Sequence, residues 1–315
     1  MSLQIDEVIK KYQELKTLKE VAKFFNVSKE GIRKFFIKNN LPYTKSISYN
    51  HNENFFATDT EDSFYWAGFI AADGNITAKK DFTLSLKQGD YAHILKFKTI
   101  INSNAPITIS PPKDLIICGI ETRTSGSAII RFRAKQWSED FIRFNIVPNK
   151  TKIYSIPSNI LNHKLVNHFI RGYFDGDGWF SHVKKLNRYL WGICGNLDVV
   201  ENIKELLNDK CNISGKTTIV RQNNIFKLTY SKQHDVSNIV DYLYGNANVY
   251  LDRKYQLSKS AKLADEATII LNLDKSKLEE SYQRLKSLAL VSKEFNCCKS
   301  SIANYLKKYN IKLVS

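Results

Sequence analysis

Acidic residues are scarce in this chain, cysteines are few and unpaired, and no long apolar run occurs. Asp and Glu total 31 against 47 Lys and Arg, leaving a formal charge of +16 and a pI near 9.4. Such an excess attracts phosphate backbones, although basic chains also meet membranes. The cysteines Cys118, Cys194, Cys211, Cys297 and Cys298 are odd in number and form no Cys-x-x-Cys pair. That pattern excludes a disulfide framework and a cysteine-built zinc site, and points to reduced thiols inside a cell. His163 and His168 lie five apart without cysteine partners and read as exposed helix histidines. No stretch approaches a transmembrane span, and the opening Met1-Ser2-Leu3-Gln4-Ile5-Asp6 lacks a signal-peptide pattern. At 315 residues the chain has room for two or three domains.

What is present is a short pattern written twice: Trp66-Ala67-Gly68-Phe69-Ile70-Ala71-Ala72-Asp73-Gly74 and Ile170-Arg171-Gly172-Tyr173-Phe174-Asp175-Gly176-Asp177-Gly178. Small residues four apart (Gly68 with Ala72, Gly172 with Gly176) share one helix face and let two backbones touch. Gly74 and Gly178 stand where a helix ends, a position that favours a left-handed residue. Asp73 and Asp177 then fall in the last turn, where the helix dipole disfavours a carboxylate. Two acids converging there repel each other. A hard divalent cation such as magnesium resolves the conflict. The alternative is a pair of glycine-capped core helices with solvated aspartates, and the matched second copy argues against it.

These segments resemble the paired motifs of the LAGLIDADG homing endonucleases, in the form where two pseudo-symmetric halves share one chain. The copies lie 177 − 73 = 104 residues apart, enough for one α/β repeat each, and the resemblance runs from about Ser63 to Lys259. It implies an α+β fold of two repeats with antiparallel DNA-binding sheets. It also implies Mg2+ as cofactor, with Mn2+ able to substitute. Asp73 and Asp177 would be the catalytic metal ligands, joined by the backbone of Ala72 and Gly176. One departure stands out: the first acid of the motif, Asp175 in the second copy, is Ala71 in the first. Lys150 and Lys254, late in each half, match basic residues that approach the family's active site. Gln88 matches a water-positioning residue, with a counterpart near Asn196.

A second repeat lies outside the first. Shifted by 270, the segment from Tyr12 to Asn40 overlays Tyr282 to Asn310 with thirteen identities and no gap. Each copy reads as a helix-turn-helix. Thr17-Leu18-Lys19-Glu20 is a capping box, Ser28 is the next N-cap, and Ile32, Phe35 and Phe36 point inward. Lys29, Arg33, Lys34 and Lys38 point outward, as Lys299, Lys307 and Lys308 do in the twin. Such a helix fits a DNA major groove, while the plainer alternative is a three-helix bundle with a solvated basic face. The polar stretch between Pro42 and Asp62 reads as a tether, and the link from Ser258 to Glu280 looks partly helical. The expected domains are 1–42 (helix-turn-helix), 43–62 (linker), 63–153 and 154–260 (the repeats), and 261–315 (linker helix and second helix-turn-helix).

Within the repeats, residues alternate by two as in half-buried strands. Phe82, Leu84 and Leu86 face one way and Thr83, Ser85 and Lys87 the other. In the next such run the polar face is Arg131, Arg133 and Lys135. The second half offers Lys184, Arg188, Arg221, Lys227 and Thr229. With Lys29, Arg33 and Lys299, these are the candidates for contact with double-stranded DNA. The resemblance implies a monomeric nuclease that cuts both strands and leaves 3′ overhangs. It acts in a bacterial or phage-infected cytoplasm or in an organelle. No splicing signature of an intein frames the chain, which fits a free-standing or intron-encoded gene. Two other outcomes of the same scaffold are an RNA maturase that binds its intron and a transcription regulator that does not cleave.

Overall fold

A computed structural model describes residues 3–15, 17–43, 49–223, 225–270, 274–295, 297 and 299–311. The chain divides into two compact units, Met1–Tyr49 and Asn50–Ser315. In the first, helices α1 (Ile5–Leu15), α2 (Leu18–Phe24) and α3 (Lys29–Lys38) enclose Val8, Leu18, Val21, Ala22, Ile32 and Phe36. Thr17 Oγ1 accepts the Glu20 N–H and donates to the Glu20 carboxylate at 2.9 Å. Ser28 Oγ accepts the Gly31 N–H. Between α2 and α3 the chain turns at Asn26, whose φ of 50° is left-handed.

The second unit opens on a correction. Thr44 to Ser48 lie outside the described residues, but from Asn50 onward the expected tether is folded. Trp137 Nε1 donates to the Asn52 carbonyl at 2.9 Å, and the Asn50 N–H meets Asn104 Oδ1 at 2.7 Å. Phe55 and Phe56 are buried, with Phe56 edge-on to Trp137. This adjacent apolar pair inside a polar stretch turns it back onto the core. Helix α4 (Glu61–Asp73) starts two residues before the expected domain edge, on a Thr60–Ser63 capping box.

Two repeats follow with one topology. The first runs α4, β1 (Gly74–Ile76), β2 (Asp81–Lys87), α5 (Tyr91–Ile100), β3 (Ile107–Ser110), β4 (Asp114–Ile117), β5 (Ile120–Arg123), β6 (Ser127–Arg133) and the short α6 (Trp137–Asp140). After the short α7 (Ser158–Leu161), the second runs α8 (Val166–Asp177), β7 (Gly178–Val183), β8 (Arg188–Gly195), α9 (Leu197–Lys210), β9 (Thr218–Gln222), β10 (Ile225–Tyr230) and α10 (Gln233–Tyr244). Their antiparallel sheets have the orders β1-β2-β6-β3 and β7-β8-β10-β9, so each strand has a counterpart. The β4–β5 hairpin, a separate two-stranded sheet, is an insertion confined to the first repeat. Phe82, Leu84 and Leu86 are buried with Ala128, Ile130 and Phe132, as the alternation requires.

Helix α11 (Asp252–Ile270) crosses the expected 260/261 boundary without a break. Beyond it, α12 (Lys275–Leu285), α13 (Leu288–Glu294) and α14 (Lys299–Lys308) enclose Leu278, Tyr282, Val291, Ile302 and Leu306. Shifted by 270, four of these are Val8, Val21, Ile32 and Phe36 of the first unit. The duplicated sequence builds the same core twice.

Candidate metal centre and nucleic-acid interface

The centre is made by α4 and α8, which touch backbone to backbone. A Cβ on Gly68 would stand 2.0 Å from the Phe169 carbonyl oxygen, and one on Gly172 would stand 1.9 Å from that of Tyr65. One turn on, a Cβ on Gly176 would meet Ala72 Cβ at 2.4 Å and Asp73 Oδ2 at 3.4 Å. Asp73 and Asp177 are the last residues of their helices, so the small-residue faces deliver both carboxylates to one place. The glycines that follow are not left-handed. Gly74 (φ −83°, ψ 160°) and Gly178 (φ −93°, ψ 171°) are extended, because each helix passes straight into a strand. Glycine is needed there for space: a Cβ would lie 2.5 Å from Ile70 Cγ2 or 2.1 Å from Phe174 Cδ2.

Burial, then repulsion from Asp73, holds the Asp177 carboxyl up at about 6. The Asp73 carboxyl is also raised, by burial first. Lys150 and Lys254 oppose this. Lys150 Nζ donates to the Gly74 carbonyl at 2.7 Å. Lys254 Nζ donates to the carbonyls of Gly178 (2.6 Å), Phe174 (2.6 Å) and Asp175 (2.8 Å). The lysines are 254 − 150 = 104 apart, as are the acids and the glycines, so each caps the negative end of its own helix. Burial lowers both ammonium pKa values, that of Lys254 to about 8. The sequence locates this pair but not its bonding to carbonyls. Gln88 follows β2 with Oε1 against Gly126. Its counterpart Asn196 precedes α9 and donates to the Tyr154 carbonyl.

Asp175 is buried and fully paired. It accepts from the Tyr65 hydroxyl (2.8 Å), the Tyr244 hydroxyl (2.5 Å) and the Leu251 N–H (2.8 Å). Its pKa is raised, first by burial. Its role is to tie both helices to the end of the second repeat, and Ala71, buried at the matching place, has no such task. Arg171 is equally buried. It donates to Glu61 (2.7 Å) and to the Leu243 and Val249 carbonyls. None of these partners is legible from sequence, because they lie 69 or more residues apart. The expected exposed histidines are another correction. His163 stacks on Phe64 at 4.4 Å, and His168 Nδ1 lies 2.9 Å from Arg171.

On the first sheet, Thr83 pairs with Arg131 and Lys87 with Ser127, and Arg131 Nε donates to Thr83 Oγ1 at 3.0 Å. Thr83, Ser85, Lys87, Arg131 and Arg133 thus share one face, while Lys135 is exposed just past the strand. On the second sheet, Lys227 and Thr229 share a face with Arg188, and Lys184 sits in the β7–β8 turn. Arg221 does not join them. It pairs with Phe226, which puts it on the opposite face, where Nε donates to the Asn223 carbonyl. The β9–β10 connection has two residues, so odd positions of one strand match even positions of the other. In the flanking modules Lys29 and Lys299 are exposed, and Arg33 pairs with Glu30 at 3.4 Å.

No protein-family model and no curated protein matches this sequence. Among solved structures, the chain is similar to full-length DUF199/WhiA from Thermatoga maritima, with TM-score 0.39 and 15% identity over 82% of this chain and 94% of that one. It is also similar to the LAGLIDADG meganuclease I-AabMI bound to uncleaved DNA (TM-score 0.43, 13% identity, 69% and 95% covered). A third is the homing endonuclease I-GzeII in complex with its DNA target (0.44, 13%, 71% and 96%). Within this chain, the α+β architecture rests on the two matched repeats and their touching helices. Among the described residues, no helix is long and apolar enough to cross a membrane.

Proposed function

We propose that this chain is a monomeric, site-specific endodeoxyribonuclease that hydrolyses one phosphodiester in each strand of a long duplex and leaves 3′ overhangs. The observation that carries the reading is the meeting of Asp73 and Asp177 at adjoining helix ends. Magnesium fits there. The two carboxylates repel each other, and among the described residues no third acid, histidine or cysteine groups with them. That set leaves most of a cation's shell to phosphate and water, as magnesium prefers. Asp73 and Asp177 would hold it, with the backbone of Ala72 and Gly176 beside them; bound, it makes water a better nucleophile and offsets charge at phosphorus. The protein's own part is placement. Lys150 and Lys254 fix the helix ends, and the sheet faces seat the duplex. The helix-turn-helix modules add contacts that raise affinity through effective concentration.

A second reading is a DNA-binding regulator without cleavage. It is favoured by the same lysines, whose ammonium groups already compensate the acids and are engaged with carbonyls. One experiment separates the two. The full chain is incubated with DNA spanning the uninterrupted locus of its gene, in magnesium and in calcium, beside Asp177→Asn. A single cut in magnesium only, lost in the variant, is the expected result. Tight binding without cutting in any metal would sink the nuclease and leave the regulator or an intron-RNA role.

A further inference from the structure

The two sheets present unlike chemistry on the faces turned away from the core. In the first repeat that face carries Thr83, Ser85, Lys87, Arg131 and Arg133, and its apolar member is Ile129, opposite Ser85. Strand register in the second repeat aligns Trp179 with Gly192, Leu190 with Ser181, Cys194 with Lys227, and Lys227 with Val220. Val183 and Ile225 fall on the same side by alternation. Six apolar side chains therefore lie on this face of the second sheet, where Ile129 is the apolar member of the first. Val220 is 57% exposed and Ile225 42%. Trp179, two residues past Asp177, lies flat over Gly192, where a Cβ would stand 2.2 Å from Cζ2 of the ring. Lys227 Nζ approaches the same ring at 5.8 Å.

An apolar face of this size left in water is costly, and its occupant follows from its surroundings. Lys184, Arg188 and Lys227 edge it with positive charge, and it runs up to the carboxylate pair. Duplex DNA offers a matching surface: phosphates for the cations and, in the major groove, the thymine C5-methyl as the apolar group among the base edges. Resting on the DNA-reading role proposed above, we propose that the two sheets read their half-sites by different chemistry. The first uses hydrogen-bonding cations. The second selects thymine-rich sequence by burying C5-methyl groups against Trp179, Leu190, Val220 and Ile225. Covering Gly192 explains the Trp179 ring by packing alone, but it does not explain Val220 and Ile225 at the exposed edge.

The test uses the full chain in calcium and a random duplex library. Sites recovered by binding are sequenced, and Arg131→Ala with Arg133→Ala marks the half read by the first sheet by relaxing it. In the other half, each thymine is then replaced by uracil, which removes only the methyl. Burial of one methyl group predicts about fourfold weaker binding for each thymine so replaced. Val220→Ser with Ile225→Ser, both at exposed positions and harmless to the core, should lower that penalty while first-half selectivity persists. Unchanged affinity with uracil, or a full penalty in the double variant, overturns the thymine reading and leaves DNA recognition standing. Failure to enrich any duplex removes both, which keeps the two failures distinct.

Discussion

At the scale of single residues the centre stores an electrostatic conflict. Asp177, held at about 6, keeps its proton more tightly in the folded chain than in the unfolded one. Folding stability from this group therefore falls as pH rises from about 4 to 6. Asp177→Asn escapes that loss. It should be more stable than the parent above pH 6 by roughly 1–2 kcal/mol and equal to it near pH 4. Thermal unfolding at the two pH values checks this, and a gap that does not widen with pH refutes it. Added magnesium should raise the melting temperature of the parent and leave the variant unmoved. Lys254 presents the opposite case. Lys254→Met strands the carbonyls of Phe174, Asp175 and Gly178 beside unopposed acids, and should cost about 3–5 kcal/mol in denaturant unfolding. Lys150→Met, which frees one carbonyl, should cost clearly less.

At the scale of elements, what holds α4 to α8 is the absence of side chains. Gly172→Ala places a methyl 1.9 Å from a backbone oxygen that cannot move without its helix. A loss of more than about 3 kcal/mol is expected. Gly89→Ala, with open space around it, should be neutral within about 0.5 kcal/mol in the same unfolding assay. This helix pairing was legible in the sequence because small residues four apart are a local signal, as were the alternating strands and the duplicated modules. Features set by pairing at a distance were not. Arg221 looks like a partner of Lys227 until the two-residue connection is counted. The Asn50–Thr60 segment looks like a tether until Trp137 is found over Asn52. Tyr65, Tyr244 and Arg171 gave no warning of their buried bonds, because nothing in a single tyrosine or arginine announces which distant acid or carbonyl it will meet.

At the scale of the whole molecule, charge and modularity decide how firmly a duplex is held. Of the +16 net charge, Met1–Tyr49 contributes a visible share through the exposed Lys29, Lys34 and Lys38 on α3. That unit has its own core, and both carboxylates and both capping lysines lie in the other. A chain beginning at Asn50 should therefore keep its fold and its response to magnesium while neutralising fewer phosphates. Each phosphate left unneutralised lowers the dependence of log affinity on log salt by about 0.9. Giving up two or three would flatten that slope by roughly 2–3, and weaken binding about tenfold or more at low salt. Fluorescence anisotropy over a salt series, on the full and shortened chains, measures the change directly. An unchanged slope would mean that the amino-terminal helix-turn-helix does not touch the duplex, and that its basic face is a solvated one. A reduced slope with unchanged cutting position would instead make it a clamp on the backbone, adding affinity without moving the centre between Asp73 and Asp177.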